Sequence, residues 1–413
     1  MNSIGKWLMA GLFLCFIFGF GGWLFISEDR AMSEWENRTL AQAPPFTLHD
    51  VASGDFMKNY EAYVTDQFPL RDQWMQAYFK TEQLTDQTYV FNYHETDDHY
   101  ILIKPIQEYN EEHHLLSADA MNKFADYVME LGAEPYFFYL PSRLLALEEM
   151  YPSYIDRGVI GEANNLFYSN ITNEKLTKVH MLDDWKQKYS LDELKKRYYQ
   201  TDHHWNEEGA LEGYGNIHEM LRRTSSHFHD EPFHRDNYEK VCAENGQPFL
   251  GSYNIQLYNL ITGHSDTACH YVSKNTDNAT FDIYFGEVGA VEPQPVESFF
   301  GTKIKADISS TPTLRYADIF AGDYPVVNIK NKARAAENTH AVIIKDSFVN
   351  AITMMLAENY AQTTFIDIRH LNGQTLYDYL AKADADTVMV MYNNGRLLLE
   401  LYNFDGAYTN LIE

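Results

Sequence analysis

The sequence predicts an α/β fold in which helices cover both faces of a parallel β-sheet, and three observations support this prediction. In the C-terminal third, the apolar segments HAVIIKD, TTFIDIR and DTVMVMYN alternate with the helical patterns SFVNAITMMLAENY and LYDYLAKA. Earlier in the chain, a helical pattern capped by Ser117 ends at Gly132 and leads into the apolar segment PYFFYLP. Segments that are apolar throughout are typical of strands buried on both faces.

The first element of the chain is an apolar helix. Residues 7–26 contain no charged side chain, and with a rise of about 1.5 Å per residue such a helix is roughly 30 Å long, the thickness of a bilayer core. Lys6 precedes the run, while Glu28 and Asp29 follow it, which predicts that the rest of the chain is extracytoplasmic. A cleaved signal peptide is the alternative. Because no small-residue cleavage site follows the run, we predict a single-pass anchor in the cell membrane over residues 1–27.

Residues 28–100 are predicted to form a stalk followed by N-terminal helices. The segment after the anchor is polar and ends in Pro44 and Pro45, a composition typical of extended backbone. Between residues 54 and 85, apolar and aromatic residues recur at mixed helical spacing, which predicts one or two amphipathic helices. The main domain is expected over residues 101–413.

The main domain contains two further predicted elements and one segment without a regular pattern. KVHMLDDW is a strand candidate, and an amphipathic helix is expected from Asn206 or Glu207 to about Arg223. Residues 228–313 lack the alternation of strands and helices, so we predict a loop-rich insertion there. Five of its aromatic residues are candidates for a wall that packs against sugar rings: Tyr253, Tyr258, Tyr271, Tyr284 and Phe285.

Composition excludes one class of partner. The chain has 59 acidic and 32 basic residues, a formal net charge of −27, which would repel a phosphate backbone. We therefore predict no nucleic-acid partner, and no cofactor is expected. Of the three cysteines, Cys15 lies in the apolar run, whereas Cys242 and Cys269 form either a disulfide or two buried thiols, and the sequence does not separate these.

The candidate chemistry lies where the strands end, because ligands of open parallel sheets bind outside the carboxyl ends of the strands. Ser347 follows HAVIIKD at a strand-to-helix turn, where it is either a nucleophile or only a helix cap. A serine nucleophile needs a base and a carboxylate that orients the base. Asp202 and His204 are two residues apart and project to the same side of an extended backbone, so they supply both groups.

A metal site is the alternative use of the same segment. Asp202, His203 and His204 offer three ligand groups, but adjacent residues rarely converge on one ion. We therefore predict no metal. His203 either donates a hydrogen bond to the backbone or substrate or has a structural role, and Trp205 either packs under the following helix or stacks on a sugar.

Cationic and amide side chains also follow the predicted strands, and four cations fall at the expected ligand edge: Arg143, Lys345, Arg369 and Arg396. We expect them to converge around Ser347 and to hold an anionic glycan or an acyl-donor group, or to stabilise the oxyanion. Ordinary solvated charges are the alternative. Asn393, in the turn after the last strand, is a further candidate donor.

Several motifs together resemble the DHHW proteins of bacterial cell envelopes, which are similar to the alginate O-acetyltransferases of the SGNH-hydrolase-like superfamily. The motifs are ENRTLAQAPPF, DQFPLRDQW, DHHW at residues 202–205, KDSF at residues 345–348 and IDIR at residues 366–369. The resemblance implies a three-layer α/β/α sheet domain. It also implies a triad in which Ser347 is the nucleophile, His204 the base and Asp202 the acid that orients the base.

The resemblance further implies an extracytoplasmic O-acetyltransferase that acts on a cell-envelope polysaccharide with a multipass membrane acyltransferase as its partner. The chain departs from related motifs at two positions. Lys345 stands where GDS hydrolases have glycine, and Asp323 stands where relatives have an amide donor, so their oxyanion-hole geometry does not transfer. Two alternatives stay open: a polysaccharide acetyl esterase with the same triad, and a non-catalytic glycan-binding or export scaffold.

Overall fold

The structure, a computed structural model, describes residues 3–412 except 34, 37, 86, 244–247, 262–264, 275, 301–315, 321–323, 372 and 396. The chain divides into two compact units. The first consists of Met1–Asn92 with Asn254–Gly263, and the second consists of Tyr93–Tyr253 with His264–Glu413. The domain limits at residues 27 and 100 stay predictions.

The first unit is largely helical. Its elements in chain order are α1 (Ser3–Ile26), β1 (Met32–Ser33), β2 (Arg38–Thr39), α2 (Leu48–Ser53), α3 (Asp55–Gln67) and α4 (Arg71–Leu84). Thr47 caps α2 by accepting a hydrogen bond from the backbone N–H of Asp50. Within α1, residues Ile4–Ile26 are long and apolar enough to cross a membrane. By length and composition this helix fits either a membrane anchor or a signal sequence.

The second unit contains the central sheet and the helices around it. Its elements up to the DHHW motif are β3 (Tyr93–Glu95), β4 (Ile101–Ile103), α5 (Glu111–Glu130), β5 (Glu134–Leu140), α6 (Arg143–Ala146), α7 (Ile160–Ser169), β6 (Thr177–His180), α8 (Met181–Lys188) and α9 (Leu191–Lys195). After the motif come α10 (Glu207–Thr224), β7 (Tyr238–Cys242), β8 (Pro248–Phe249), α11 (Gly251–Gln256), β9 (Asp266–Thr267), β10 (Cys269–Ser273) and β11 (Phe281–Tyr284). The C-terminal elements are α12 (Tyr316–Ile319), β12 (Val326–Asn331), β13 (His340–Lys345), α13 (Thr353–Ala357), β14 (Gln362–Ile366), α14 (Leu376–Ala383), β15 (Thr387–Asn393) and α15 (Thr409–Ile412).

Seven strands form the central sheet, in the order β11-β12-β14-β13-β15-β5-β6. The five strands from β14 to β6 are parallel, whereas β11 and β12 are antiparallel additions at one edge. The predicted α/β class is therefore confirmed, and the apolar segments predicted to be strands are β5, β6, β13, β14 and β15. Strand β13 lies in the interior of the sheet, and its end carries Ser347 to the ligand edge.

Helices cover both faces of the sheet, which makes three layers. On one face, α5, α7 and α14 pack against alternate strand residues such as Phe137 and Val390. On the other face, Tyr136 of β5 donates a hydrogen bond to Thr224 at the end of α10. Successive residues of a strand point to opposite faces of the sheet, and helices cover both faces. This explains why the strands are apolar along their whole length.

The predicted start of α5 is wrong, although its predicted end at Gly132 is right to within two residues. The helix begins at Glu111, and Asn110 caps it by accepting a hydrogen bond from the backbone N–H of His113. Ser117 lies inside the helix and is buried. Asn110 satisfies the orphan donors at the true start of the helix, so the helix does not need Ser117 as a cap.

The predicted insertion, residues 228–313, has more regular structure than its sequence indicated. Strands β7 and β10 form an antiparallel pair in which Cys242 and Cys269 face each other and form a disulfide. Strand β11 joins the edge of the central sheet through antiparallel pairing with β12. Residues 301–313 of the predicted insertion lie outside the described residues.

Candidate active site

The turn after β13 positions Ser347 at the start of a short 3-10 helix, Ser347–Ile352. Asp346 caps this helix, because its Oδ1 accepts a hydrogen bond of 2.9 Å from the backbone N–H of Phe348. Its Oδ2 accepts two hydrogen bonds of 2.7 Å from Asn393, one from the backbone N–H and one from Nδ2. Asp346 thereby joins the ends of β13 and β15 and fixes the backbone next to Ser347.

The DHHW segment lies between α9 and α10, and Trp205 anchors it. The indole Nε1 of Trp205 donates a hydrogen bond of 2.9 Å to the carbonyl oxygen of Phe348, and the side chain is fully buried. A Cβ added to Gly213 of α10 would lie 2.5 Å from the Trp205 ring, so glycine is required for this contact. Trp205 therefore packs under the following helix and does not line the cavity beside Ser347.

Asp202, His204 and Ser347 form one hydrogen-bonded chain. Nδ1 of His204 lies 2.6 Å from Oδ1 of Asp202, and Nε2 of His204 lies 2.8 Å from Oγ of Ser347. Asp202 and His204 are both buried, at 0% and 3% exposure. A base within hydrogen-bond distance of a hydroxyl, and itself held by a carboxylate, is the arrangement that activates a serine.

Asp202 is held by the backbone as well as by the imidazole. Its Oδ1 accepts a hydrogen bond from the backbone N–H of His204, and its Oδ2 accepts one of 2.6 Å from the backbone N–H of Ser252. Burial by itself would raise the pKa of Asp202, but the imidazoles of His204 and His203 outweigh this and hold the pKa well below its usual range. The side chain is therefore an anion that orients His204.

Ser252 also contacts His203. Oγ of Ser252 lies 2.8 Å from Nδ1 of His203, and the His203 side chain lines the cavity next to Ser347. The ligand atoms of Asp202, His203 and His204 lie within 4.8 Å of one another, which is close enough to hold a metal ion. Both ring nitrogens of His204 are already at hydrogen-bond distance from Asp202 and Ser347, so a metal would have to break one of these contacts. The absence of a metal stays a prediction.

Tyr316 is a site residue that sequence reasoning missed. Its ring is stacked on the imidazole of His204, with 3.7 Å between centroids and 5° between planes. Tyr316 belongs to the four-residue helix α12, which is too short to show a periodic pattern in sequence. No motif therefore pointed to it.

The cavity beside Ser347 has a volume of about 640 Å³. Its polar lining includes His203, Arg143, Arg369, Asn393 and Ser142. Its apolar lining comes from several segments of the second unit: Ile103, Ile106, Leu144, Ile160, Leu397, Leu398 and Leu401. The cavity is large enough for a small acyl group together with part of an acceptor.

The predicted convergence of cations is incomplete. Arg143 and Arg369 line the cavity, whereas Lys345 does not. Lys345 is wrongly predicted because its Nζ donates a hydrogen bond of 2.7 Å to Oδ1 of Asn350, and both side chains are buried. Arg396 lies outside the described residues, as do Asp323 and the rest of residues 321–323.

The two cavity cations have partners of their own. Arg143 donates hydrogen bonds to the carbonyl oxygens of Ile101 and Gln200, and it lies 5.5 Å from the ring centroids of both Tyr100 and Tyr253. Arg369 forms a bidentate ion pair with Asp367, with distances of 2.9 Å and 2.5 Å. Both charges therefore first serve to fix the walls of the cavity.

Asn393 and the predicted aromatic wall fit the expectations only in part. One N–H of the Asn393 amide is committed to Asp346, while its Oδ1 accepts a hydrogen bond from the backbone N–H of Gly395. Of the five aromatic residues of the predicted wall, only Tyr253 lines the cavity. Tyr258 belongs to the first unit, and Tyr271 donates its hydroxyl to Glu208 on α10. The wall prediction therefore fails because these side chains serve local packing.

Comparisons with known proteins give matches among solved structures. No protein-family model matches the sequence, and no curated protein matches it significantly. PatB1 of Bacillus cereus is 27% identical over 75% of this chain and 98% of the PatB1 chain, with a TM-score of 0.65. A second PatB1 structure, with a sulfonyl adduct, is 26% identical over 75% of this chain and 97% of that chain, with a TM-score of 0.64.

Two further solved structures are more distant. A DHHW family protein from Eubacterium siraeum is 17% identical over 74% of this chain and 92% of its own, with a TM-score of 0.53. The O-acetyltransferase domain of Pseudomonas putida AlgJ is 11% identical over 78% of this chain and 98% of its own, with a TM-score of 0.44. The predicted likeness is thus confirmed for the fold: the chain is a structural neighbour of PatB1 and of a DHHW family protein.

Proposed function

We propose that this protein is an extracytoplasmic serine-dependent O-acyltransferase that moves an acetyl group onto a cell-envelope polysaccharide. The observation that carries the proposal is the continuous chain of hydrogen bonds from Asp202 through His204 to Ser347. All three side chains lie in the second unit, at the ligand edge of the sheet. The motifs that resemble the alginate O-acetyltransferases support acetyl as the acyl group.

The first half of the proposed reaction forms an acyl-enzyme. With its proton on Nδ1 and donated to Asp202, His204 leaves Nε2 free to accept the proton of Ser347. Oγ of Ser347 attacks the acyl carbonyl of the donor, and the tetrahedral intermediate collapses as the bond to the leaving group breaks. His204 then gives its proton to the leaving group, so the atoms and charges balance.

The second half transfers the acyl group to the acceptor. A sugar hydroxyl loses its proton to Nε2 of His204 and attacks the acyl carbonyl, and the bond to Oγ of Ser347 breaks. His204 returns the proton to Ser347. Asp202 stays ionised throughout and stabilises the imidazolium that forms in both halves. The sulfonyl adduct on PatB1 is consistent with covalent chemistry in a chain of this fold.

The anchor and the partner belong to the same proposal. The apolar helix α1 would hold the enzyme at the outer face of the cell membrane. A multipass membrane acyltransferase would deliver the acyl group from the cytoplasm, as the resemblance to alginate acetylation proteins implies. The polysaccharide acceptor would enter the cavity that His203 and Tyr253 line.

An acetyl esterase is the second candidate, because it requires the same three residues. The two functions differ only in whether water or a sugar hydroxyl attacks the acyl-enzyme. A transferase has to orient the acceptor, since effective concentration is what lets a sugar compete with water. The cavity of about 640 Å³ has room for a sugar acceptor beside the acyl group, as a transferase requires, and the same room would serve an esterase.

The test uses the full chain in detergent or nanodiscs, a chromogenic acetyl ester and envelope oligosaccharides. We expect slow ester hydrolysis, acetylated oligosaccharide as product, and an acetyl group on Ser347 detected by mass spectrometry. Ser347→Ala should abolish all three, whereas Ser169→Ala, a change on the surface of α7, should change none. Fast hydrolysis without any acetylated sugar would identify an esterase. If no ester acylated Ser347, the non-catalytic scaffold would be the remaining interpretation.

A further inference from the structure

The surface of α4 carries large apolar side chains that stay about half exposed in the first unit. Trp74 and Tyr78 are four residues apart and lie along one side of the helix, and Leu70 is the residue that directly precedes α4. Their exposed fractions are 43%, 48% and 55%. We call these three residues the α4 outer face.

Another part of the α4 surface already contributes to the core of the first unit. Phe79 is buried, and its ring lies 5.7 Å from the ring of Tyr258. Arg71 donates a hydrogen bond of 2.9 Å to the Tyr258 hydroxyl. An amphipathic helix needs only one apolar side for its own core, so the α4 outer face requires a second explanation.

The α4 outer face is continuous with the apolar helix α1. The ring of Phe20 lies 6.0 Å from that of Trp74 and is stacked on Phe68 at 5.4 Å. The ring of Phe16 lies 6.4 Å from that of Trp74, in an edge contact. The helix that would cross the membrane therefore contacts α4 through the same tryptophan that the outer face exposes.

The position of this contact along α1 sets a depth. Phe20 and Phe16 lie six and ten residues before Ile26, the end of α1, which corresponds to roughly 9 Å and 15 Å at about 1.5 Å per residue, so the shallower end of the contact sets the comparison. Amphipathic helices that lie in a membrane surface bury their apolar side about 5 to 10 Å into it. Tryptophan and tyrosine also concentrate at this boundary.

Resting on the proposed membrane anchor, we propose that α4 lies in the outer membrane–water interface and inserts Leu70, Trp74 and Tyr78 into the lipid. The occupant of this face is lipid held by apolar contact, because charge does not favour an anionic headgroup. Residues 27–92 contain eleven acidic and five basic residues. The attachment is therefore expected to depend little on anionic lipid or on salt.

The consequence is a second membrane contact for the first unit. A single transmembrane helix leaves the rest of a chain free to tilt and rotate, whereas a second contact through α4 limits both motions for the first unit. The contact would help keep the enzyme close to the membrane, where an acyl group emerges. No side chain of the triad takes part in the contact, so membrane attachment and chemistry are separable.

The test is a depth measurement with spin labels on the full chain in phosphatidylcholine vesicles. The background is Cys15→Ala, which removes the free cysteine found among the described residues, while Cys242 and Cys269 stay in their disulfide. Labels are placed through Trp74→Cys and Tyr78→Cys. Matched controls are Gln76→Cys and Lys80→Cys, exposed positions about 200° from Trp74 and Tyr78 around the helix. Leu12→Cys reports whether α1 itself is in the bilayer.

We expect the labels at 74 and 78 to be several-fold more accessible to oxygen than to a water-soluble nickel chelate, with the opposite ratio at 76 and 80. The same result is expected with added anionic lipid or salt. Chelate access at 74 and 78 equal to that at 76 and 80 would overturn the proposal, and so would protection from both reagents, which would mean a protein partner or a second copy. If the label at position 12 is exposed to lipid, the proposed membrane anchor stands whatever the result for α4. If that label is accessible to the chelate, both the proposed anchor and the proposed α4 contact are wrong. Ester turnover by each variant reports separately on the acyltransferase.

Discussion

The ring of Tyr316 lies parallel to the imidazole of His204, 3.7 Å away, and forms one side of its pocket. Tyr316 does not lie between His204 and Ser347, whose hydrogen bond is intact. The stacked ring therefore acts as a positioning residue. It limits rotation of the imidazole about the side-chain bonds of His204. Both ring nitrogens stay available for the hydrogen bonds with Asp202 and Ser347.

Tyr316→Leu is expected to lower kcat about 10-fold with little change in KM, because a stacked aromatic pair contributes about 0.5 to 1.5 kcal/mol. Tyr316→Phe keeps the ring and should restore most of kcat. Steady-state kinetics with an acetyl ester check both variants. Tyr324→Leu, at a partly exposed tyrosine elsewhere in the second unit, is the control. Equal losses in Tyr316→Phe and Tyr316→Leu would show that the hydroxyl, and not the stack, matters.

Asp202→Asn should remove both activity and a pH-dependent part of the stability. The folded pKa of Asp202 is depressed, so the ionised carboxylate stabilises the fold above the ordinary Asp pKa of about 3.9, and this contribution is lost as pH falls below that value. At neutral pH we expect the variant to lose about 3 kcal/mol of unfolding free energy, as when a buried pair is broken. Urea unfolding at several pH values measures the difference between wild type and variant. A difference that stays constant down to about pH 3 would contradict the assignment; Asp192→Asn, on an exposed side chain, should show almost none.

Gly251→Ala should damage the triad from a distance. Gly251 has φ +62°, and an added Cβ would lie 2.3 Å from the carbonyl carbon and oxygen of Thr201. The backbone would have to shift where Ser252 donates to Asp202, so we expect kcat to fall at least about 10-fold, or about 1.4 kcal/mol in the barrier. Gly289→Ala is the matched control, since Gly289 also has positive φ but has open space around it. If both variants lose activity equally, the clash at Thr201 is not the cause.

Glu358→Gln should change how stability depends on pH. Burial raises the pKa of Glu358 to about 7 from a usual value of 4.5, although hydrogen bonds from Tyr238, Ser273 and Thr276 oppose the shift. The folded state then binds more protons than the unfolded state between these values, so the wild type loses stability as pH rises from about 4.5 to 7. The variant has no carboxyl to ionise. Between pH 4 and pH 8, its unfolding free energy should therefore rise relative to that of the wild type by up to about 3 kcal/mol. If the difference in unfolding free energy between wild type and variant stayed constant across this pH range, the pKa of Glu358 would not be raised.

Residues with a local reason for their position could be placed from the sequence, although their catalytic roles stay predictions. Ser347 follows a strand that is apolar throughout, and Asp202 with His204 forms a two-residue unit, so each half of the site was visible within a few residues. The strands β13, β14 and β15 were visible for the same reason, because burial on both faces leaves no polar positions in them. These predictions needed no knowledge of distant contacts.

The residues that the sequence misplaced or missed are positioned by tertiary contacts. Lys345 was expected in the cavity, but its partner Asn350 takes it into the core. Ser252 reaches Asp202 from fifty residues away, and Tyr316 reaches His204 from more than one hundred. Neither has a local pattern that marks it. Such residues are fixed by the tertiary packing of loops, which sequence periodicity does not record.

The order of strands in the sheet also bears on the proposed export of the chain. Strand β13 carries Ser347 and lies between β14 and β15, while β15 in turn pairs with β5 from the first half of the second unit. A chain that crosses the membrane from its N-terminus delivers β5 and the Asp202–His204 pair well before β15. Until then the nucleophile's strand has an open edge and its turn lacks the Asn393 contact that fixes it. For the proposed exported acyltransferase, we therefore expect the site around Ser347 to be completed only after β15 has crossed the membrane.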